Sequence, residues 1–191
     1  MKIWNEIWDY VKMIIIVVVV VLVINNVVLI NAKIPSESME NTIMTGDRIF
    51  GFRLAYGFNM NVFGNEISRK WKDPERFDII VFPYQYEENT YYIKRIIGLP
   101  GETVQVVDGY VYINGSRLES DIYGNELMDD PMAASQPITL GEDEYFVLGD
   151  NRNHSQDSRD PSVGEVKKDT IMGKAWVRIY PFGKMGVIRH E

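Results

Sequence analysis

The chain has 191 residues, 46% of them hydrophobic, with a formal net charge of −7 and no cysteine; that length suits one domain of ordinary size with a small insertion. The missing cysteines exclude disulfide frameworks, thiolate metal sites and cysteine nucleophiles, and two histidines are too few for a multi-histidine metal site. An acidic chain without a basic run is poorly suited to phosphate backbones, so nucleic acid is not an expected partner.

From Met13 to Ile30 the chain reads MIIIVVVVVLVINNVVLI, uncharged and interrupted only by Asn25 and Asn26. As a helix it covers about 27 Å, close to the roughly 30 Å hydrocarbon core of a bilayer. Adding Trp8, Tyr10 and Val11 completes the span with aromatic rings near the interface, where Lys12 can reach the headgroups. We therefore expect a short tail over 1–8, a transmembrane helix over 9–31 and an extracytoplasmic β-rich domain over 32–191. The valine run also suits buried strands, but no turn signal interrupts its first twelve apolar residues. A cleavable leader fits poorly: Glu6 and Asp9 precede the apolar stretch and no Ala-x-Ala follows it. Lys2 and Lys12 before the span, against Lys33 after it, lean toward a cytoplasmic N-terminus in a single-pass membrane protein.

Past Ala32 the pattern changes to short apolar runs punctuated by Gly and Pro. Residues 46–52 and 77–82 read as strands. Between them, Gly57, Asn59, Asn61, Gly64 and Pro74 suggest a long loop or a loose excursion over 56–75. Residues 91–97 read as a further strand, turned by Leu99-Pro100-Gly101. TVQVV and YVYI flank Asp108-Gly109, a strong hairpin signal, and Asn114-Gly115 follows. Residues 118–138, polar and carrying Pro131 and Pro137, suggest an exposed insertion. Strands over 144–149 and 171–180 complete a mainly β domain.

Three segments carry candidate chemistry: IPSESM at 34–39, YYIKRIIGLPGE at 91–102 and GDNRNHSQDSR at 149–159. Each has an ordinary structural reading. The first could be a turn or a helix N-cap, and the lysine of the second could face solvent. The third alternates oxygen-bearing residues like a calcium loop, but Arg152 and Arg159 intrude, and the turn glycine and closing Glu are missing. Neither Gly-x-Ser-x-Gly nor Ser-x-x-Lys occurs, and a Ser-His-Asp triad would have to use His154 or His190.

A serine hydroxyl is a weak nucleophile and needs a base within hydrogen-bond reach. A free lysine, with a pKa near 10.4, is neutral in only roughly one molecule in 2,500 at pH 7, and burial lowers that pKa by up to about 3–5 units. Ile93, Ile96 and Ile97 supply such surroundings for Lys94 if its strand faces inward. Strand alternation puts Lys94 on one face with Tyr92 and Ile96, and Arg95 on the other, free to meet a carboxylate.

Taken together, in order and spacing and behind a membrane span, the three segments resemble the conserved boxes of type I signal peptidases of the bacterial and organellar kind, over essentially the whole chain. The resemblance implies a signal peptidase/LexA-like β-rich domain that removes signal peptides from preproteins, cutting after small residues at −1 and −3. It implies Ser38 as nucleophile, Lys94 as general base, Ser36 as an oxyanion donor beside the Ser38 amide, and Ser155 as a hydroxyl that orients the lysine. Arg95, Asp150, Asp157 and Arg159 correspond to residues that brace the site. Ile34, Pro35, Met39, Tyr92 and Ile93 correspond to walls of a substrate cleft in which the peptide lies as an added strand. No metal or cofactor is implied; the expected partners are signal peptides, the lipid bilayer and the secretion machinery.

Asn41 departs from the family pattern, which usually has Pro there, and His154 fills a slot often held by Asp or Asn. Two other readings stay open: a LexA-type Ser–Lys self-cleaving protease, which shares the fold, and a membrane-tethered β-domain without catalysis.

Overall fold

The computed structural model describes residues 2–62, 65–84, 86, 90–124 and 126–190. Helix α1 (Lys2–Val23) opens the chain and widens into a π-helical turn (Ile24–Val28). Its apolar side chains from Met13 to Ile24 are all exposed. A helix apolar all round with no protein against it is suited to hydrocarbon. Among the described residues it is the one helix long and apolar enough to cross a membrane. A π turn disturbs the helical hydrogen-bond ladder, and the Asn26 amide answers one carbonyl by donating to Leu22 O at 2.8 Å.

The helical stretch runs over 2–28 and not 9–31. Leu29–Lys33 instead form strand β1, because their backbone finds an antiparallel partner in β2 (Arg48–Phe52). Gly51 makes that pairing close, since a Cβ there would lie 3.3 Å from the Ile30 Cβ.

The remaining strands are β3 (Gly57–Val62), β4 (Asn65–Lys70), β5 (Ile79–Pro83), β6 (Tyr91–Gly98), β7 (Thr103–Val107), β8 (Tyr110–Ile113) and β9 (Ser116–Arg117). They are followed by β10 (Ile138–Thr139), β11 (Glu144–Leu148), β12 (Val166–Lys167), β13 (Gly173–Tyr180) and β14 (Gly186–Val187). The main sheet runs β1-β2-β13-β5-β6-β11-β12, with β14 beside β13; a smaller sheet runs β10-β7-β8-β9, and among the described residues β3 pairs only with β4. The pairings are antiparallel, and the mainly β expectation holds.

Segment 56–75 corrects the sequence reading: much of it is the β3–β4 ribbon and not a loop. Gly57 serves close approach there, since a Cβ would fall 2.3 Å from Arg69 O. The hairpin signals hold as read, with Asp108 and Gly109 at φ 50° and 80°, the left-handed pair that a primed turn requires. Segment 118–138 is exposed over most of its length, but Met128 and Ala134 bury in the small-sheet core beside Val104 and Val111.

Strand β5 is covered on both faces. Ile79 joins Ile49, Ala175 and Met39 on one side, while Ile80 and Phe82 join Ile96, Tyr145 and Val147 on the other. Register places Ile80 opposite Lys94 and Ile79 opposite Arg95. The two basic residues of β6 therefore enter different interiors, as the alternation predicts.

Candidate active site

The connection from β1 to β2 carries the candidate nucleophile. Two apolar side chains pin it to the domain: Ile34 and Met39, 5% and 2% exposed, lie in the core with Ile43 and Ile49. Backbone bonds close the loop, from Ile34 N to Asp47 O at 2.9 Å and from Gly46 N to Ile34 O at 2.9 Å. The tight turn after Ser38 is fastened by Glu40 N to Glu37 O at 2.9 Å and Ile43 N to Met39 O at 2.8 Å. Asn41 in that turn has φ 83°, a left-handed conformation that Asn tolerates and proline, locked near −65°, cannot adopt. The departure from the family pattern at this position thus matches the local backbone.

Lys94 reaches the turn from the middle of β6, donating from Nζ to Ser38 Oγ at 2.7 Å. It is 4% exposed, with Nζ 5.1 Å from the centre of the Tyr92 ring. Burial lowers its pKa to about 8, against partial opposition from the negative charges of Asp157 and Asp150. Desolvation outweighs both carboxylates because the ammonium has lost nearly all its water. Ser36 Oγ lies 3.4 Å from Ser38 Oγ, on the more exposed side.

The segment after β11 clasps the serine turn from above. Asn151 N donates to Ser38 O at 3.1 Å, and Asn151 Nδ2 donates to Glu37 O at 3.2 Å. Gly149 permits this approach: a Cβ on it would meet Ser155 Oγ at 2.2 Å and Ser38 O at 2.4 Å. Ser155 Oγ, expected to orient the lysine, is buried and makes no hydrogen bond among the described residues.

Behind these groups lie buried ion pairs. Arg95 holds Asp150 in a two-pronged contact, Nε to Oδ1 at 2.8 Å and Nη2 to Oδ2 at 2.7 Å. Its guanidinium stacks on Tyr123 at 3.6 Å and donates to Phe77 O at 2.9 Å. Arg159 grips Asp157 through Nε and Nη2 at 2.9 and 3.0 Å, and Asp157 in turn accepts from Gly149 N at 3.0 Å. The bracing roles expected of these four residues fit that geometry.

Two further braces escaped the sequence reading. Arg152 donates to Gly149 O at 3.0 Å and to both oxygens of Asp121, at 2.8 and 2.6 Å. Thr42 donates to Asp150 from one turn beyond the serine. Asp121 lies 31 residues from its partner, so no local pattern could have linked the two.

Of the expected cleft residues, Pro35, Tyr92 and Ile93 keep accessible surface. Ile34 and Met39 are core residues, which corrects their placement: they hold the loop from beneath. Neither histidine hydrogen-bonds to Ser38 among the described residues. His154 faces Glu37, Nδ1 to Oε1 at 3.5 Å. His190 accepts from Ile79 N and binds Ala175 O, and burial followed by the Lys174 charge lowers its pKa to about 4. The titratable side chain that meets Ser38 Oγ is Lys94.

A family model described as signal peptidase, peptidase S26, matches residues 7–180. A probable signal peptidase I-2 of Synechocystis sp. is 36% identical over 163 residues, covering 83% of this chain and 66% of that protein. A signal peptidase I of Leptolyngbya laminosa is 40% identical, covering 80% of this chain and 70% of its own length. A signal peptidase I of Bacillus licheniformis is 32% identical, covering 95% and 92%. The chain spans just under two thirds of the Synechocystis protein and nearly the whole of the Bacillus one. With a family match over almost its full length and a buried lysine on the serine of IPSESM, the chain belongs to the signal peptidase family, peptidase S26.

Proposed function

We propose that this protein is a membrane-bound serine endopeptidase that removes signal peptides from exported preproteins. The carrying observation is the 2.7 Å contact between Ser38 Oγ and a buried Lys94 Nζ, whose pKa is lowered to about 8 by burial. Neutral Lys94 accepts the Ser38 proton as Oγ attacks the scissile carbonyl, and returns it to the departing amine. The Ser36 hydroxyl and the Ser38 amide stabilise the oxyanion of the tetrahedral intermediate. A water activated by the same lysine then releases the acyl group from Ser38.

The substrate is an extended segment with small side chains at −1 and −3, because shallow pockets reject larger ones by clash. Residues 2–28 cross the bilayer from a cytoplasmic N-terminus and place the serine turn on the extracytoplasmic side, where a signal helix ends. Enzyme and substrate then meet on one surface. The expected neighbours in that setting are the bilayer and the secretion machinery that delivers preproteins.

The test is cleavage of a signal-bearing preprotein by the full-length protein in lipid, beside Ser38→Ala, with sequencing of the new N-terminus. A cut directly after Ala-x-Ala, lost in the variant, is the expected result. Absence of any cut by folded, membrane-embedded protein would favour a non-catalytic tethered domain, and self-cleavage without added preprotein would favour the LexA-type reading.

A further inference from the structure

A cavity of about 440 Å³ opens where the membrane helix joins the catalytic domain. Asn26 and Val27 at the end of the helical stretch form one wall, and Arg53, Phe58, Lys70 and Lys168 line the others. No lining residue belongs to the three segments that build the Ser38–Lys94 site. The volume lies within the roughly 300–1,000 Å³ of small-molecule pockets.

Its charge is opposite to that of the chain. Among the described residues neither Arg53 nor Lys70 forms an ion pair, and the single acidic residue in the lining is Asp169. Lys168 is paired with Asp73, outside the lining. Arg53 spends only Nε internally, on Leu29 O at 3.2 Å, leaving the rest of its fork available; a guanidinium fork matches phosphate oxygens. In a protein of net charge −7, two unpaired cations converging on one hollow mark a site for an anion.

Position selects which anion. The span over Glu6–Val28 is about 35 Å long as a helix, enough to cross the hydrocarbon core, so Asn26 and Val27 emerge at headgroup level. Val27, Leu54, Phe58 and Ile171 add apolar surface to the same cavity. Trp71, half exposed, packs against Phe58 with ring centres 6.0 Å apart, an aromatic pair of the kind found at membrane interfaces. We propose that this cavity binds the phosphate headgroup of an anionic phospholipid, with Arg53 and Lys70 on the phosphate and Val27 and Phe58 against the glycerol and upper chain. Bound lipid would fix the domain against the bilayer at the junction after Val28, where β1 begins. The inference rests on the membrane-spanning reading and is independent of the catalytic one.

The test uses full-length protein in detergent micelles doped with equal amounts of phosphatidylglycerol and phosphatidylcholine. Lipid retained after gel filtration is measured by mass spectrometry. Wild type should enrich phosphatidylglycerol about thirtyfold, as expected for about 1 kcal/mol from each of the two unpaired cations. Arg53→Gln/Lys70→Gln should return the ratio to that of the micelle, and Lys70→Gln alone, which disturbs no backbone contact, should fall between. Retention at the bulk ratio in wild type, or equal enrichment in wild type and Lys70→Gln, overturns the proposal. Displacement of the retained lipid by millimolar inorganic phosphate would identify a soluble-anion site and also overturn it. Lipid retention is read without any cleavage, so a negative result here leaves the Ser38–Lys94 reading untouched.

Discussion

At the scale of single residues the proposed base, Lys94, carries one conflict: its amine lies beside Ser38, and burial disfavours its charged form. A base must be neutral to accept a proton, so kcat/KM should rise with pH through an apparent pKa near 8 and flatten above it. A limb controlled near pH 6.5 would point instead to histidine. The same burial carries a stability cost. The gap between about 8 and the ordinary 10.5 corresponds to about 3 kcal/mol below pH 8, part of which the lost Ser38 contact would give back. Lys94→Met should therefore abolish turnover yet raise stability at pH 7 by on the order of 2 kcal/mol. The sign follows from linkage: between pH 8 and 10.5 the unfolded chain binds the extra proton, so wild type gains stability with rising pH and the advantage of the variant shrinks. Urea titrations at pH 7 and pH 10 would measure it. Ser36, at 3.4 Å from Ser38 Oγ, is judged by Ser36→Ala, expected to lower kcat about 10²–10³-fold with an unchanged melting curve. Full turnover in that variant removes it from the oxyanion role.

Two connections do the work at the scale of elements: 34–47, which presents the serine, and 149–159, which grips it. Both are irregular, so neither shows a period of two or 3.6, and their shape comes from pinning by Ile34, Met39 and backbone bonds. The turn at Asn41 is the most exacting point. Asn41→Pro would force φ from 83° to near −65°, and should cost on the order of 2–3 kcal/mol with loss of activity; Asn41→Gly should retain both. Thermal melts with a peptide-cleavage assay separate these outcomes, and a stable, active Asn41→Pro would show that the turn has a second conformation. The β3–β4 ribbon illustrates what local reading misses. Its glycines and asparagines resemble loop residues, but Gly57 is there because Arg69 O lies against it, a fact about a partner strand.

Buried charge organises the site for the whole molecule. Arg95 and Asp150 are 1% and 0% exposed at their side chains, and they tie β6 to the clasping segment, Thr42 and the C-terminal residues near His190. Removing one partner strands the other charge in a dry interior. Asp150→Asn should thus destabilise by about 3–5 kcal/mol, read by chemical denaturation. A change below about 1 kcal/mol, the range of exposed pairs, would mean that water reaches the pair. The apolar helix stands outside this network, its side chains from Met13 to Ile24 exposed, so the apolar segment and the Ser38–Lys94 site are built from separate parts of the chain.

The apolar helix, the mainly β class and the hairpin turns were legible in the sequence, because each depends on near neighbours: hydropathy over a run, alternation along the strands and φ preferences of Asp-Gly. The pairing of Ser38 with Lys94, 56 residues apart, was legible only through the likeness of three short motifs to a family. Alternation even assigned Lys94 and Arg95 to opposite faces. Tertiary structure alone decided where the helix yields to β1, that Ile34 and Met39 support the loop from the core, that Ser155 Oγ is left without a hydrogen bond among the described residues, and that Asp121 meets Arg152. Those outcomes depend on which backbone or charge arrives from far along the chain, and a contact of that kind leaves no mark on the spacing of the residues that make it.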